Sequence, residues 1–263
     1  MTTTTIPPRP STDAGPDPAV PLWAAAGIGW AITFALTLSG AAAAGHHDHV
    51  LEHDSHPWPL RITLFLAVWV VMLAAMMLPT LAPLARVFGP VSARSGQPRI
   101  ARAGLYGGYL LIWLVFAPLA LVFDSTIHLT VHSWPWLAAH DGLILSSTLL
   151  LVGSYQLSPM KNRCLTVCRD PVTFLWRHYR RGFGGGVNLG VRHGLWCLGC
   201  CWALMLLMFA TGVGSLVWML GLTAVMVAEK ATRWGARLVT PVGLVLIGAG
   251  LVFSAVALVP GAA

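Results

Sequence analysis

Residues Leu195 to Val227 read LWCLGCCWALMLLMFATGVGSLVWMLGLTAVMV, 33 residues without one charged side chain. Water cannot solvate so long an apolar run, and a single strand does not need it, so a lipid bilayer is its expected solvent. One continuous helix of this length would extend roughly 50 Å, well past a hydrocarbon slab of about 30 Å. The Thr211-Gly212-Val213-Gly214 stretch offers the break, because glycine is a poor helix-interior residue and turns readily. The run therefore predicts two spans joined by a tight turn.

Working outward, the same length criterion predicts spans at Leu22 to Ala44, Leu60 to Phe88, Ala103 to Phe123, Gly142 to Met160, Val187 to Ala210, about Val213 to Ala228, and Arg237 to Val259. The expected fold is all-α: a polytopic transmembrane helical bundle of about seven spans, N-terminus inside and C-terminus outside. Composition agrees, with 56% hydrophobic and 10% charged residues. Residues 1–21, polar and rich in Pro and Thr, read as a disordered cytoplasmic tail, and residues 22–263 as a single transmembrane domain. Ala41 to Ala44 has the small-residue character of a cleavage site, so a six-span form lacking the first span is the alternative.

Charge supplies the orientation. Of the 16 Lys and Arg, all but Arg61 fall in or beside segments that this topology places inside, among them Arg9, Arg86, Arg102, Lys161, Arg169, Arg192, Lys230 and Arg237. Treating Leu195 to Val227 as one span would carry Lys230, Arg233 and Arg237 outside and spoil the positive-inside pattern. The net charge of +7 is thus a topology signal and an attraction to an acidic inner leaflet, and nucleic acid is not an expected partner. The cell inner (plasma) membrane is the expected location.

Metal-ligating side chains sort by face. The loop after the first span, GHHDHVLEHDSHP, carries His46, His47, His49, His53 and His56, with His49 and His53 at i, i+4 and His53 and His56 at i, i+3. His46, His49, His53 and His56 are secondary candidates for capturing copper, zinc or nickel, against the reading of a solvated polar loop. His128, His132 and His140 belong to the second outer loop.

All five Cys lie toward the inner side, where a reducing compartment disfavours structural disulfides. Cys164 and Cys168 of SPMKNRCLTVCRDP are at i, i+4; Cys197 faces Cys200 and Cys201 in RHGLWCLGCCWALMLLMF at i+3 and i+4. Cys197, Cys201, Met205 and Met208 lie within about 80° on one helical face, a sulfur stripe toward the membrane centre. Thiolate and thioether ligands select copper(I), with zinc the competitor. Met72, Met76 and Met77 of VVMLAAMMLP read first as packing, with Met72 and Met76 retained as further candidates. Glu229 and Lys230 read as a local salt bridge or interface anchor before a proton relay. Gly186, Gly190 and Gly194, and Gly104 with Gly108, predict close helix packing. Phosphate-binding loops, dinucleotide fingerprints and Ser-His-Asp arrangements are absent from the sequence.

AAMMLPT (Ala74 to Thr80), YQLSPMKNRCLTVCRDP (Tyr155 to Pro171), and the stretch from RHGLWCLGCCWALMLLMF to the EK pair (Arg192 to Lys230) resemble the bacterial family described as predicted metal-binding integral membrane proteins, sometimes labelled copper chaperone. The resemblance covers about Leu60 to Val259. It implies a membrane-embedded metal binder, and by motif it carries over Cys164, Cys168, Cys197, Cys200 and Cys201. The expected function is copper(I) handling by binding, delivery or transport, with a metal-accepting protein or membrane complex as a further partner. A membrane thiol-disulfide oxidoreductase, suggested by CxxC at Cys197 and Cys200, and a non-catalytic assembly subunit are the alternatives.

Overall fold

The long apolar run does divide. In the computed structural model, which describes residues 17–39, 57–94, 96–138, 140, 142–211 and 215–258, one helix ends at Thr211 and the next begins at Leu216. The regular elements among the described residues are all helices: α1 Val20–Leu38, α2 Trp58–Met76, α3 Leu78–Ala93, α4 Pro98–Ser133, α5 Pro135–Ala138, α6 Gly142–Gln156, α7 Pro159–Arg169, α8 Pro171–His178, α9 Gly182–Thr211, α10 Leu216–Ala231 and α11 Gly235–Ala257.

Four helices are long and apolar enough to cross a membrane: Val20–Leu38, Pro98–Phe123, Gly182–Met208 and Gly235–Ala257. Six are reached if two bent pairs each count as one span. Helix α10, at 16 residues, extends only about 24 Å and falls short of a full hydrocarbon thickness.

The bent pairs depart from the straight spans expected. Leu60 to Phe88 is two helices that meet at Met77 at 56°. Pro79 is the cause: it has no N–H to give the carbonyl of Ala75, and its ring crowds that carbonyl. The Trp30 indole on α1 donates to the freed Ala75 oxygen at 3.1 Å. Gly142 to Met160 is likewise interrupted, because Ser158 is extended (φ −70°, ψ 146°) and Pro159 starts α7. The Ser158 hydroxyl caps α7 by accepting from the Lys161 amide at 3.2 Å, and α7 leaves α6 at 63°. This turn brings Cys164 and Cys168 against α9. A third difference is that α4 continues to Ser133, so His128 and His132 lie on its helical extension and not in a loop.

Helix α9 packs most extensively on α4, and glycine permits the approach. A Cβ on Gly104 would meet the Phe183 carbonyl oxygen at 2.5 Å, while Gly108, Gly186 and Gly190 each press against a backbone carbonyl of the partner helix. Helix α11 packs on α6 in the same manner through Gly153, Gly243 and Gly250. Near the expected tail, Asp17 binds Arg86 of α3 at 3.0 Å and accepts from the Ala19 amide at 2.9 Å; the amide, more than the guanidinium, holds its carboxyl below the ordinary value. Residues 1–16 lie outside the described residues.

Candidate metal centre

The i, i+3, i+4 spacing on α9 aims three thiols the same way. The Sγ atoms of Cys197, Cys200 and Cys201 all lie within 4.8 Å of one another, and each residue is 1–2% exposed. The backbone contributes to this aim, since the Cys200 and Cys201 thiols donate to the Cys197 carbonyl at 3.1 and 2.9 Å. Helix α7 adds Cys168, with its sulfur 3.9 Å from that of Cys200. Sulfurs bound to one ion at about 2.3 Å stand roughly 3.8 Å apart in a tetrahedral arrangement and about 4.6 Å apart when opposed. The α9 thiols, within 4.8 Å of one another, and the Cys168–Cys200 pair, at 3.9 Å, stand close to these separations, so the residues present fit a soft metal ion.

Cys164 is buried on the same helix face and lies over Gly199, where a Cβ would come within 2.7 Å of its sulfur. Gly199, the middle residue of CLGCC, therefore gives α7 room to approach. The Tyr155 hydroxyl, on α6, donates to the Gly199 carbonyl and closes this corner.

Side chains from three further helices reach the thiols. The Lys230 ammonium on α10 donates to Cys197 Sγ at 3.1 Å and stands 3.8 Å from Cys201 Sγ. The hydroxyls of Tyr109 on α4 and Thr80 on α3 lie 3.2 and 3.6 Å from Cys197 Sγ. Met77, at the α2–α3 break, places its Sδ 3.9 Å from Cys201 Sγ. A cation, two hydroxyls and a thioether thus surround the sulfurs and give any charge that develops there local partners.

Beside the thiols lies a buried ionic group. The Lys161 ammonium, 0% exposed, donates to Glu229 at 2.7 Å and to Gln156, whose amide in turn donates to Glu229. Arg169 adds donation to the backbone carbonyls of Glu229, Thr232 and Arg233. Helix α7 is clamped in this way to the end of α10, which holds Lys230 among the sulfurs. The local salt bridge or interface anchor expected at Glu229 and Lys230 takes another form, with Glu229 paired to Lys161 and Lys230 facing the thiols.

The remaining expected ligands are distributed as follows. Met205 and Met208 are fully buried on α9, and Met72 and Met76 are buried on α2; the Met77 thioether reaches the thiols. His46, His49, His53 and His56 lie outside the described residues. His140 has Nδ1 2.8 Å from the Trp136 carbonyl and stacks on that indole, far in sequence from the thiols. Lys161, Tyr109 and Thr80 were not singled out from sequence, although Lys161 and Thr80 sit inside the SPMKNRC and MMLPT strings. His193, one turn before Cys197, is buried between Tyr109 and Phe174 and has an unpartnered Nδ1.

These features define a protein that is all-helical among its described residues, with four helices long and apolar enough to cross a membrane and a buried cluster of thiols able to hold a metal ion. The chain belongs to the copper chaperone family PpoB2, matched over residues 66–253. No curated protein and no solved structure matches the chain at a significant level.

Proposed function

We propose that the protein is an integral membrane copper(I)-handling protein that binds its ion through Cys197, Cys200 and Cys201 together with Cys168. The closure of a three-thiol group on α9 by a fourth thiol from α7 is the observation that carries this reading. Metal entry releases thiol protons and joins a soft cation to soft donors, the pairing that favours copper(I); zinc is the competing ion. Lys230 supplies a positive charge beside the anionic metal–thiolate unit, which a low-dielectric site requires. Cys164 and the Met205–Met208 stripe extend the sulfur surface on either side, as successive weak sites for an ion that must also leave.

Binding and delivery, and not catalysis, is the function we infer. Thiol-disulfide exchange needs an attacking thiolate that a partner can reach, and Cys197, Cys200 and Cys201 are almost fully enclosed. We place the protein in the cell inner membrane with seven spans, N-terminus inside and C-terminus outside. Support comes from the distribution of Lys and Arg, with α10 as a short span accommodated by local bilayer thinning. The His-rich loop after α1 then faces outward as a capture site, and a metal-accepting protein or membrane complex receives the ion.

The test is metal content, by elemental mass spectrometry, of detergent-purified protein produced with copper or zinc and kept reduced. Near-stoichiometric copper in the wild type, lost when Cys168, Cys197, Cys200 and Cys201 are changed to Ser, is the expected result. Wild-type protein with no metal above background would overturn the proposal, and stoichiometric zinc in its place would overturn the choice of ion.

A further inference from the structure

Among the described residues, a thioether from outside α9, that of Met77, stands 3.9 Å from the Cys201 sulfur, and its position is built into the fold. Met77 is 0% exposed and occupies the single residue between α2 and α3, where Pro79 interrupts the helix. Its carbonyl, released from the regular ladder, accepts from the Thr80 amide at 3.1 Å, the Thr80 hydroxyl at 2.8 Å and the Tyr109 hydroxyl at 3.1 Å. The same two hydroxyls lie against Cys197 Sγ, so one pair of side chains fixes both the break and the thiol cluster.

We propose that the Met77 thioether is a ligand of the ion held by the α9 thiols and that it biases this site toward copper(I) over zinc. The proposal rests on the copper-binding reading above and adds a ligand and a basis for selectivity to it. Its Sδ stands 3.9 Å from Cys201 Sγ, inside the roughly 3.8–4.6 Å range spanned by two sulfurs on one ion. A neutral thioether adds a soft donor without adding negative charge. Copper(I) accepts such a donor readily, whereas zinc prefers thiolate, imidazole or carboxylate. Met76, the neighbouring residue, projects about 100° away around the helix and does not share this position.

Two measurements test it on the full-length protein in detergent under reducing conditions. Competition against a chromogenic copper(I) chelator, with zinc affinity measured in parallel, compares wild type, Met77→Leu and Met219→Leu. The expected result is a copper(I) affinity roughly tenfold or more weaker in Met77→Leu, with zinc affinity within about threefold of wild type and Met219→Leu unchanged. Equal copper(I) affinities in wild type and Met77→Leu would overturn the thioether ligand, and a parallel loss of both metals would overturn the selectivity. X-ray absorption at the copper edge on selenomethionine-substituted protein decides the matter even if Met77→Leu folds poorly. A copper–selenium vector that persists when Met205 and Met208 are changed to Leu supports the ligand, and its absence from the wild type with copper bound refutes it. Wild-type protein that binds no copper at all would instead defeat the underlying copper reading.

Discussion

Lys161 and Glu229 show how a single pair can be decisive at the residue scale. They are 68 residues apart in sequence, both almost fully enclosed, and joined at 2.7 Å with Gln156 closing the triangle. Removing one member leaves the other charge buried and unpaired, so Lys161→Met is expected to cost roughly 3–5 kcal/mol, read as a lowered thermal midpoint in detergent. The double change Lys161→Met with Glu229→Leu should recover much of that loss, because an apolar pair needs no compensation. A double variant no better than the single one would show that the pair is not coupled as its geometry implies. Lys230 answers to a different partner. Lys230→Met should weaken copper(I) binding by roughly 10–100-fold while leaving the fold intact, as loss of a group supporting metal ligands does. The sequence made the five Cys and Glu229 visible as chemistry, because their types and local spacings are unusual in an apolar run. It could not show that Lys161 neutralises Glu229 or that Lys230 meets sulfur, since those pairings depend on where α7 and α10 end up in three dimensions.

At the scale of the elements, the α4–α9 crossing was legible because its cause is local. Glycine at every fourth position leaves a smooth groove, and Gly104, Gly108, Gly186 and Gly190 do meet backbone across it. Gly190→Ala would place a methyl 2.9 Å from the Tyr109 amide nitrogen and closer still to the Leu105 carbonyl, on the turn of α4 that carries the Tyr109 hydroxyl to Cys197. Helices must separate, at an expected cost of about 1–3 kcal/mol and with weakened metal retention. Gly107→Ala, on α4 but facing open space, should instead be neutral or stabilising by up to about 1 kcal/mol. Thermal unfolding of both variants checks the contrast, and equal effects would mean that the crossing tolerates looser contact than its geometry allows. The α2–α3 and α6–α7 bends were missed for an identifiable reason. A length-and-hydropathy reading treats Pro79 and Pro159 as tolerated within a span, although each removes an amide donor and forces the chain to turn. The 29-residue length of Leu60 to Phe88 was itself a sign of a break.

For the whole molecule, the thiol centre is where chain segments from widely separated parts of the sequence converge: the α2–α3 break, Tyr109 on α4, Cys168 on α7, the thiols of α9 and Lys230 on α10. An ion bound between α7 and α9 adds a direct link from α9 to a helix that the Lys161–Glu229 and Arg169 contacts tie to the end of α10. Binding of this kind must be linked to global stability, because the unfolded chain does not present the four sulfurs together. With free copper(I) held at 100 times the dissociation constant, the folded state should gain about 2.7 kcal/mol, seen as a higher thermal midpoint in detergent under reducing conditions. The gain should vanish when Cys197, Cys200 and Cys201 are changed to Ser. It should shrink, without vanishing, in Cys168→Ser, because three thiols on α9 remain while the link to α7 is lost. A Cys168→Ser protein that keeps the full copper-dependent gain would place the ion on α9 alone. A gain that survives loss of all three α9 thiols would move the stabilising site elsewhere, with His46, His49, His53 and His56 as the next place to look.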